Sequence, residues 1–114
     1  ARDEGTQLKL RVVEAGPHLG DCLLWAAARL GCDKLHATGY DVIHQLVSMF
    51  RQSIRQNSMQ NCVEAHLTFL GETRSPTSNY KGVSAAPLDE EVTQHVHLLK
   101  VHTNGGEDAI LRGG

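Results

Sequence analysis

Residues Asp33 to Gln56, DKLHATGYDVIHQLVSMFRQSIRQ, constrain the fold more than any other stretch. A short alternating run, a glycine and a helical period follow one another there without a break. Leu35 and Ala37 alternate with His36 and Thr38, the two-residue period of a strand with one buried face. Gly39 then stands where the chain can turn without a Cβ. From Tyr40 the period lengthens: Val42, Leu46, Met49 or Phe50, and Ser53 or Ile54 recur at three- and four-residue spacing, with Ile43 and Val47 widening the stripe. The spacing predicts an amphipathic helix to Gln56, its apolar face on a core. His44, Gln45, Ser48, Arg51, Gln52 and Arg55 face solvent or a polar partner.

The flanking segments take their places around this unit. Thr6 to Val13 places Leu8, Leu10 and Val12 opposite Gln7, Lys9 and Arg11, a strand buried on one side. Ala15-Gly-Pro-His-Leu-Gly20 is rich in turn formers, Asp21 is the expected N-cap of a helix over Cys22 to Leu30, and Gly31 ends it. After a break at Gln56-Asn-Ser58, Asn61 to Leu70 alternates as a third strand. Glu91 to His102 reads as the last one. The polar stretch between them, with Pro76, Pro87, Arg74, Tyr80 and Lys81, is too long for a tight turn and reads as an extended arm. The expected organisation is therefore a disordered start over 1–5, one domain over 6–103 with its arm at 71–90, and a flexible tail over 104–114. The expected fold is α/β: a two-layer β-α-β-α-β-β sandwich, with a mixed four-stranded sheet closed by a hairpin of the last two strands and two helices on one face.

The 114 residues suffice for one core and not for two. No run of eighteen apolar residues suggests a membrane span, and the charged start is unlike a signal peptide, so an intracellular location, cytoplasmic or nuclear, is expected. Cys22, Cys32 and Cys62 form an odd, widely spaced set, expected as free or buried thiols in a reducing compartment. Eleven Lys and Arg against thirteen Asp and Glu leave a net charge of −2, a poor footprint for tight binding to phosphates. A nucleic-acid role would then need local clusters or a partner's charge.

The element order and the centre of the chain resemble the Alba family of small nucleic-acid-binding proteins, including its eukaryotic branch in the protein subunits of ribonuclease P and MRP. Leu35-His-Ala-Thr-Gly39 with Val42 and the long helix is similar to that family's second strand, turn and second helix. Cys22-Leu-Leu-Trp-Ala-Ala-Ala is similar to its first helix, and Glu91 to Val101 to its closing strand. The likeness spans roughly residues 7 to 102. It implies a protein that is not an enzyme and that binds RNA or DNA in a ribonucleoprotein, as a homodimer or as a heterodimer with a similar subunit. Basic residues expected in the first loop and after the turn glycine are replaced here by Gly16-Pro-His-Leu-Gly20, Tyr40 and His44. On this resemblance the nucleic-acid contacts fall to Lys9, Arg11, His18, Tyr40, His44, Arg74 and Lys81, with Tyr40 as a stacking surface. The dimer surface falls to Phe50, Ile54, Val96 and Leu98. Leu111-Arg-Gly-Gly114 is compatible with the first unit of an RNA-binding Arg-Gly-Gly tail.

Two other readings stay open. Cys22 at a helix start beside Trp25 is how papain-like viral proteases present a nucleophile, with His95, His97 or His102 as the base. Leu111-Arg-Gly-Gly114 also ends ubiquitin-like modifiers. His95 and His97, two apart on a strand, lack a third ligand within reach. Without a phosphate-cradling glycine motif or paired catalytic carboxylates, neither a metal nor a cofactor is expected.

Overall fold

The structure, a computed structural model, describes residues 9–71, 83–92, 94–102 and 107–113. The chain runs β1 (Leu10–Ala15), α1 (Asp21–Leu30), β2 (Leu35–Asp41), α2 (His44–Gln56), β3 (Val63–Leu67), β4 (Phe69–Gly71), β5 (Ala85–Pro87), α3 (Leu88–Glu91), β6 (Leu98–Val101) and α4 (Glu107–Arg112). Four strands form one sheet in the order β3-β2-β1-β6. Its three pairings are all parallel, with Val12 beside Ala37 and Leu98, and Ala37 beside Val63. β4 and β5 pair separately, also parallel.

The α/β class holds, and the direction of the last pairing differs from expectation. A hairpin joins antiparallel neighbours through a short turn, whereas parallel strands need a crossover. Between β3 and β6 the chain spends thirty residues on β4, β5, α3 and the segments between them, then returns to lie beside β1 and not beside β3.

Two cores flank the sheet. On one face Val12, Leu35, Ala37, Val63 and Ala65 meet Leu23 and Ala27 of α1 and Val47, Phe50 and Ile54 of α2. On the other, Val13, Ala15 and Tyr40 meet Leu70, Leu88 and Ile110. β2 is therefore buried almost along its whole length, as a central parallel strand covered on both faces must be. The helical stripe on α2 is confirmed by Val47, Phe50 and Ile54.

Several boundaries move. Gly39 lies inside β2, and α2 begins four residues later than the periodicity suggested. A Cβ on Gly39 would stand 2.8 Å from the Pro17 ring and 2.9 Å from the Phe50 ring, so glycine is needed for close approach and not for a turn. Asp21 opens α1, whose N-cap is Gly20 in the left-handed region, with no side-chain cap. The expected third strand is split into β3 and β4. The expected fourth is cut to Leu98–Val101, with Glu91 in α3. Leu111 and Arg112 belong to α4, where Ile110 is buried, so this part of the tail is helical. Phe50 and Ile54 are spent on the core and reach no surface for a dimer. Cys32 and Cys62 are disulfide-bonded, which corrects the expectation of three thiols; only Cys22 is free. Among the described residues, no helix is long and apolar enough to cross a membrane.

Two stability measurements check this packing. Gly39→Ala forces a methyl against Pro17 and Phe50 and is expected to cost about 1–3 kcal/mol in urea unfolding, without a change in slope. Reducing the bridge between Cys32 and Cys62, 30 residues apart, should lower stability by about 3–4 kcal/mol if chain entropy dominates.

Candidate functional site

Adjacent parallel strands whose onward connections leave to opposite faces open a crevice at their carboxyl ends, where α/β sheets bind ligands. β1 and β6 are such a pair. From β1 the chain turns to α1 on one face; from β6 it proceeds to α4, whose Ile110 packs on the other.

The loop that leaves β1 is held from several directions. Gly16 N–H donates to Tyr40 O at 2.8 Å and Gly20 N–H to Pro17 O at 2.9 Å. His18, with φ of 57°, donates its backbone N–H to Asp41 Oδ2 at 3.2 Å. The other Asp41 oxygen accepts from the N–H groups of Val42 at 2.8 Å and Ile43 at 3.3 Å, so one buried carboxylate ties the loop after β1 to the turn after β2. Gly20 lies against Phe50: a Cβ there would stand 2.2 Å from the ring, on a backbone with φ of 81°. The His18 ring meets the edge of His102 at a centroid distance of 5.6 Å, and His102 N–H donates to Ala15 O, closing the crevice wall from the β6 side.

At the head of this loop stands Glu14, only 3% exposed. Its Oε2 meets Lys100 Nζ across the β1–β6 pair at 3.4 Å, and Oε1 has no hydrogen-bond partner. The Glu14 charge and hydrogen bond raise the Lys100 pKa, and the neighbouring Cys22 sulfur adds to the effect. A buried carboxylate with one oxygen unpaired is expensive unless something else binds it.

A second polar group lies on the face away from α1 and α2. Glu64 receives His36 Nε2 at 2.8 Å on Oε2 and His66 Nε2 at 3.0 Å on Oε1. The His66 ring stacks on Tyr40 at 5.2 Å, and Arg11 Nη1 lies 3.5 Å from His36 Nδ1. These side chains line a cavity of about 250 Å³, completed by Thr38, Glu91 and Gln94. Burial alone would raise the Glu64 pKa, but the hydrogen bonds and charges of His36 and His66 outweigh it and hold it below the usual carboxylate range. Burial, then the fields of Glu91 and Glu64, push the Tyr40 hydroxyl up to about 12.

The residues singled out from the sequence are dispersed. Arg11 and Tyr40 share the cavity, while His18 lies at the crevice. Tyr40 is buried against His66 and offers no free face for a nucleic-acid base. His44 is exposed at the first turn of α2, and half-buried Lys9 precedes β1. Val96 packs on the second core and Leu98 is exposed on the edge strand. Arg74 and Lys81 fall outside the described residues. His97 Nδ1 accepts the Arg11 backbone N–H at 3.0 Å. No group of three side chains suited to a metal is found among the described residues. Glu14 and Asp41 were missed. The available signal was an acid ending an alternating run before Gly16-Pro-His-Leu-Gly20, with a second acid after the next strand.

The comparisons agree with the sheet topology. No family model matches the sequence, and no curated protein does. Among solved structures, the methyltransferase FkbM from Methylobacillus flagellatus KT matches with a TM-score of 0.79 over 98% of this chain, at 15% identity. The chain spans 31% of that protein's length. The shared fold overturns the expectation of a non-enzymatic RNA-binding subunit of a ribonucleoprotein, and no likeness to a cysteine protease or a ubiquitin-like modifier accompanies it.

The lowered Glu64 pKa fixes the sign of a pH effect. A carboxylate held low in the folded state stabilises the fold above its unfolded value, here near 4.5, and loses that contribution as pH falls through the folded one. The native chain should lose stability more steeply than Glu64→Gln below about pH 4.5, as measured by urea unfolding at a series of pH values.

Proposed function

We propose that this chain is the donor-binding part of a methyltransferase, and that the crevice between the ends of β1 and β6 takes S-adenosylmethionine. The observation that carries this reading is the buried, unpaired Oε1 of Glu14 at the head of the β1–α1 loop. The match to the fold of a solved methyltransferase supports it.

The residues fit such a ligand. Glu14 supplies a desolvated acceptor for hydroxyl or ammonium donors, already balanced on its other oxygen by Lys100. The loop places the start of α1 at the crevice, where the first N–H groups of a helix attract a carboxylate. Asp41 acts on position: its oxygens hold the loop and the turn after β2, so the crevice is shaped before a ligand arrives. Phe50 fills the space behind Gly20 and excludes water from the loop's inner side. When bound, the donor supplies an electrophilic methyl group on a sulfonium sulfur. Acceptor recognition and transfer belong to the proposal for the whole protein, since the chain spans 31% of its structural match.

Isothermal titration of the 114-residue chain with S-adenosylhomocysteine should give saturable binding. Glu14→Gln, which keeps the shape and removes the charge, should weaken it by roughly 10- to 100-fold, the worth of a charged hydrogen bond. Absence of binding to the native chain, or equal binding by the variant, would overturn the assignment.

A further inference from the structure

We propose that the cavity on the sheet face turned away from α1 and α2 binds a neutral, hydroxyl-rich ring compound of the monosaccharide or cyclitol class. This goes beyond the donor crevice, because the cavity residues take no part in holding the loop after β1, and its test does not depend on that reading.

The parallel register builds the site. Alternate residues of a strand share one face. On the face opposite α1 and α2, Arg11 stands beside His36, Val13 beside Thr38, Thr38 beside Glu64, and Tyr40 beside His66. Thr38 is therefore at the centre of this grid, and it is 7% exposed. Its hydroxyl has no partner among the described residues and opens into the cavity, whose far wall includes Val92 and Gln94.

The charges of the cavity are answered within the protein. Arg11 can only donate, so His36 Nδ1, 3.5 Å from Arg11 Nη1, turns its lone pair to it; the His36 proton then sits on Nε2, 2.8 Å from Glu64 Oε2. One cation and one carboxylate are thus joined through a single imidazole. His66 meets the other Glu64 oxygen, and Glu91 has a partner of its own. A charged ligand of either sign would lose its hydration here without gaining a counter-charge. A neutral one carries no such cost.

What stays unspent is hydrogen-bonding capacity of both kinds. The Arg11 guanidinium has N–H groups beyond the one directed at His36, and the Thr38 hydroxyl both donates and accepts. Each Glu64 oxygen accepts one imidazole N–H and keeps a further lone pair; His66 Nδ1 accepts as well, since the His66 proton lies on the Nε2 side toward Glu64. A ligand hydroxyl donates and accepts through one oxygen, which suits donors and acceptors set side by side. Val13, Val92 and the His66 ring, stacked on Tyr40, add apolar surface for the C–H face of a ring. A volume of about 250 Å³ admits one six-membered ring with its hydroxyls.

The test is an NMR titration of the labelled 114-residue chain with methyl glucopyranoside and with myo-inositol. Glucosamine, glucuronate and cyclohexanol serve as controls for positive charge, negative charge and the bare ring. Saturable shifts centred on Thr38, Glu64 and His66 are expected with at least one neutral polyol, in the millimolar range of affinity. Cyclohexanol, with a single hydroxyl, should bind about tenfold more weakly or worse, and neither charged sugar should bind more tightly than the neutral one. Thr38→Val removes the central hydroxyl at nearly constant shape and should weaken binding roughly 3- to 10-fold, whereas Thr38→Ser should restore it. Arg11→Met keeps the aliphatic stem, removes the donors and should weaken binding to a similar extent, so it reads the cavity even if Thr38→Val disturbs the fold. Arg55→Ala, exposed on α2, should bind like the native chain. No saturable shifts from either polyol, tighter binding of a charged sugar, equal binding of cyclohexanol, or undiminished binding by Arg11→Met or by a folded Thr38→Val variant would overturn the proposal.

Discussion

The seating of Phe50 between Gly20 and Gly39 is the contact on which the rest of the molecule depends. The ring enters space that a single Cβ at either glycine would occupy. Through it α2 touches both the N-terminal end of α1 and the middle of β2, and the loop after β1 is pressed toward the sheet. Close packing is intolerant of added atoms. A ring fixed in this way sets the depth of the crevice at the carboxyl ends of the strands, so the hydrophobic core and the candidate site are one construction.

Polar groups do the remaining positioning. The Asp41 carboxylate accepts three backbone N–H groups and joins the two turns that border the crevice. Glu14 is held from one side by Lys100 and left open on the other. Glu64 performs the corresponding task on the opposite face, where two imidazoles converge on its oxygens. In each case the carboxylate is met by donors from separate elements, and Glu14 Oε1 alone among the three residues' oxygens is buried without a partner.

Much of the secondary structure was legible from period alone. The α2 stripe, the α1 start near Asp21 and the existence of the first three strands follow from apolar spacing. What failed was the meaning of Gly39, Tyr40 and the closing strand. A glycine before a helical period reads as a turn when only its conformational freedom is considered; its position within β2 reflects the lack of room beneath Phe50 and Pro17. Tyr40 reads as an exposed aromatic until the second core covers it. The resemblance to small nucleic-acid-binding proteins rested on the element order and on short motifs at Leu35–Gly39, in the first helix and over Glu91–Val101, and the closing hairpin expected for the fold is replaced by β6 lying parallel to β1.

The sequence by itself determined an α/β chain with alternating strands and amphipathic helices, because side-chain period is a local property that each element carries. The tertiary structure alone decided that β6 returns beside β1, that Cys32 meets Cys62, and that Glu14, Lys100 and the loop at Gly16–Gly20 converge. Strand order and direction depend on which faces the crossovers bury, and the pairing of distant charges depends on that order. Neither can be read from any one segment.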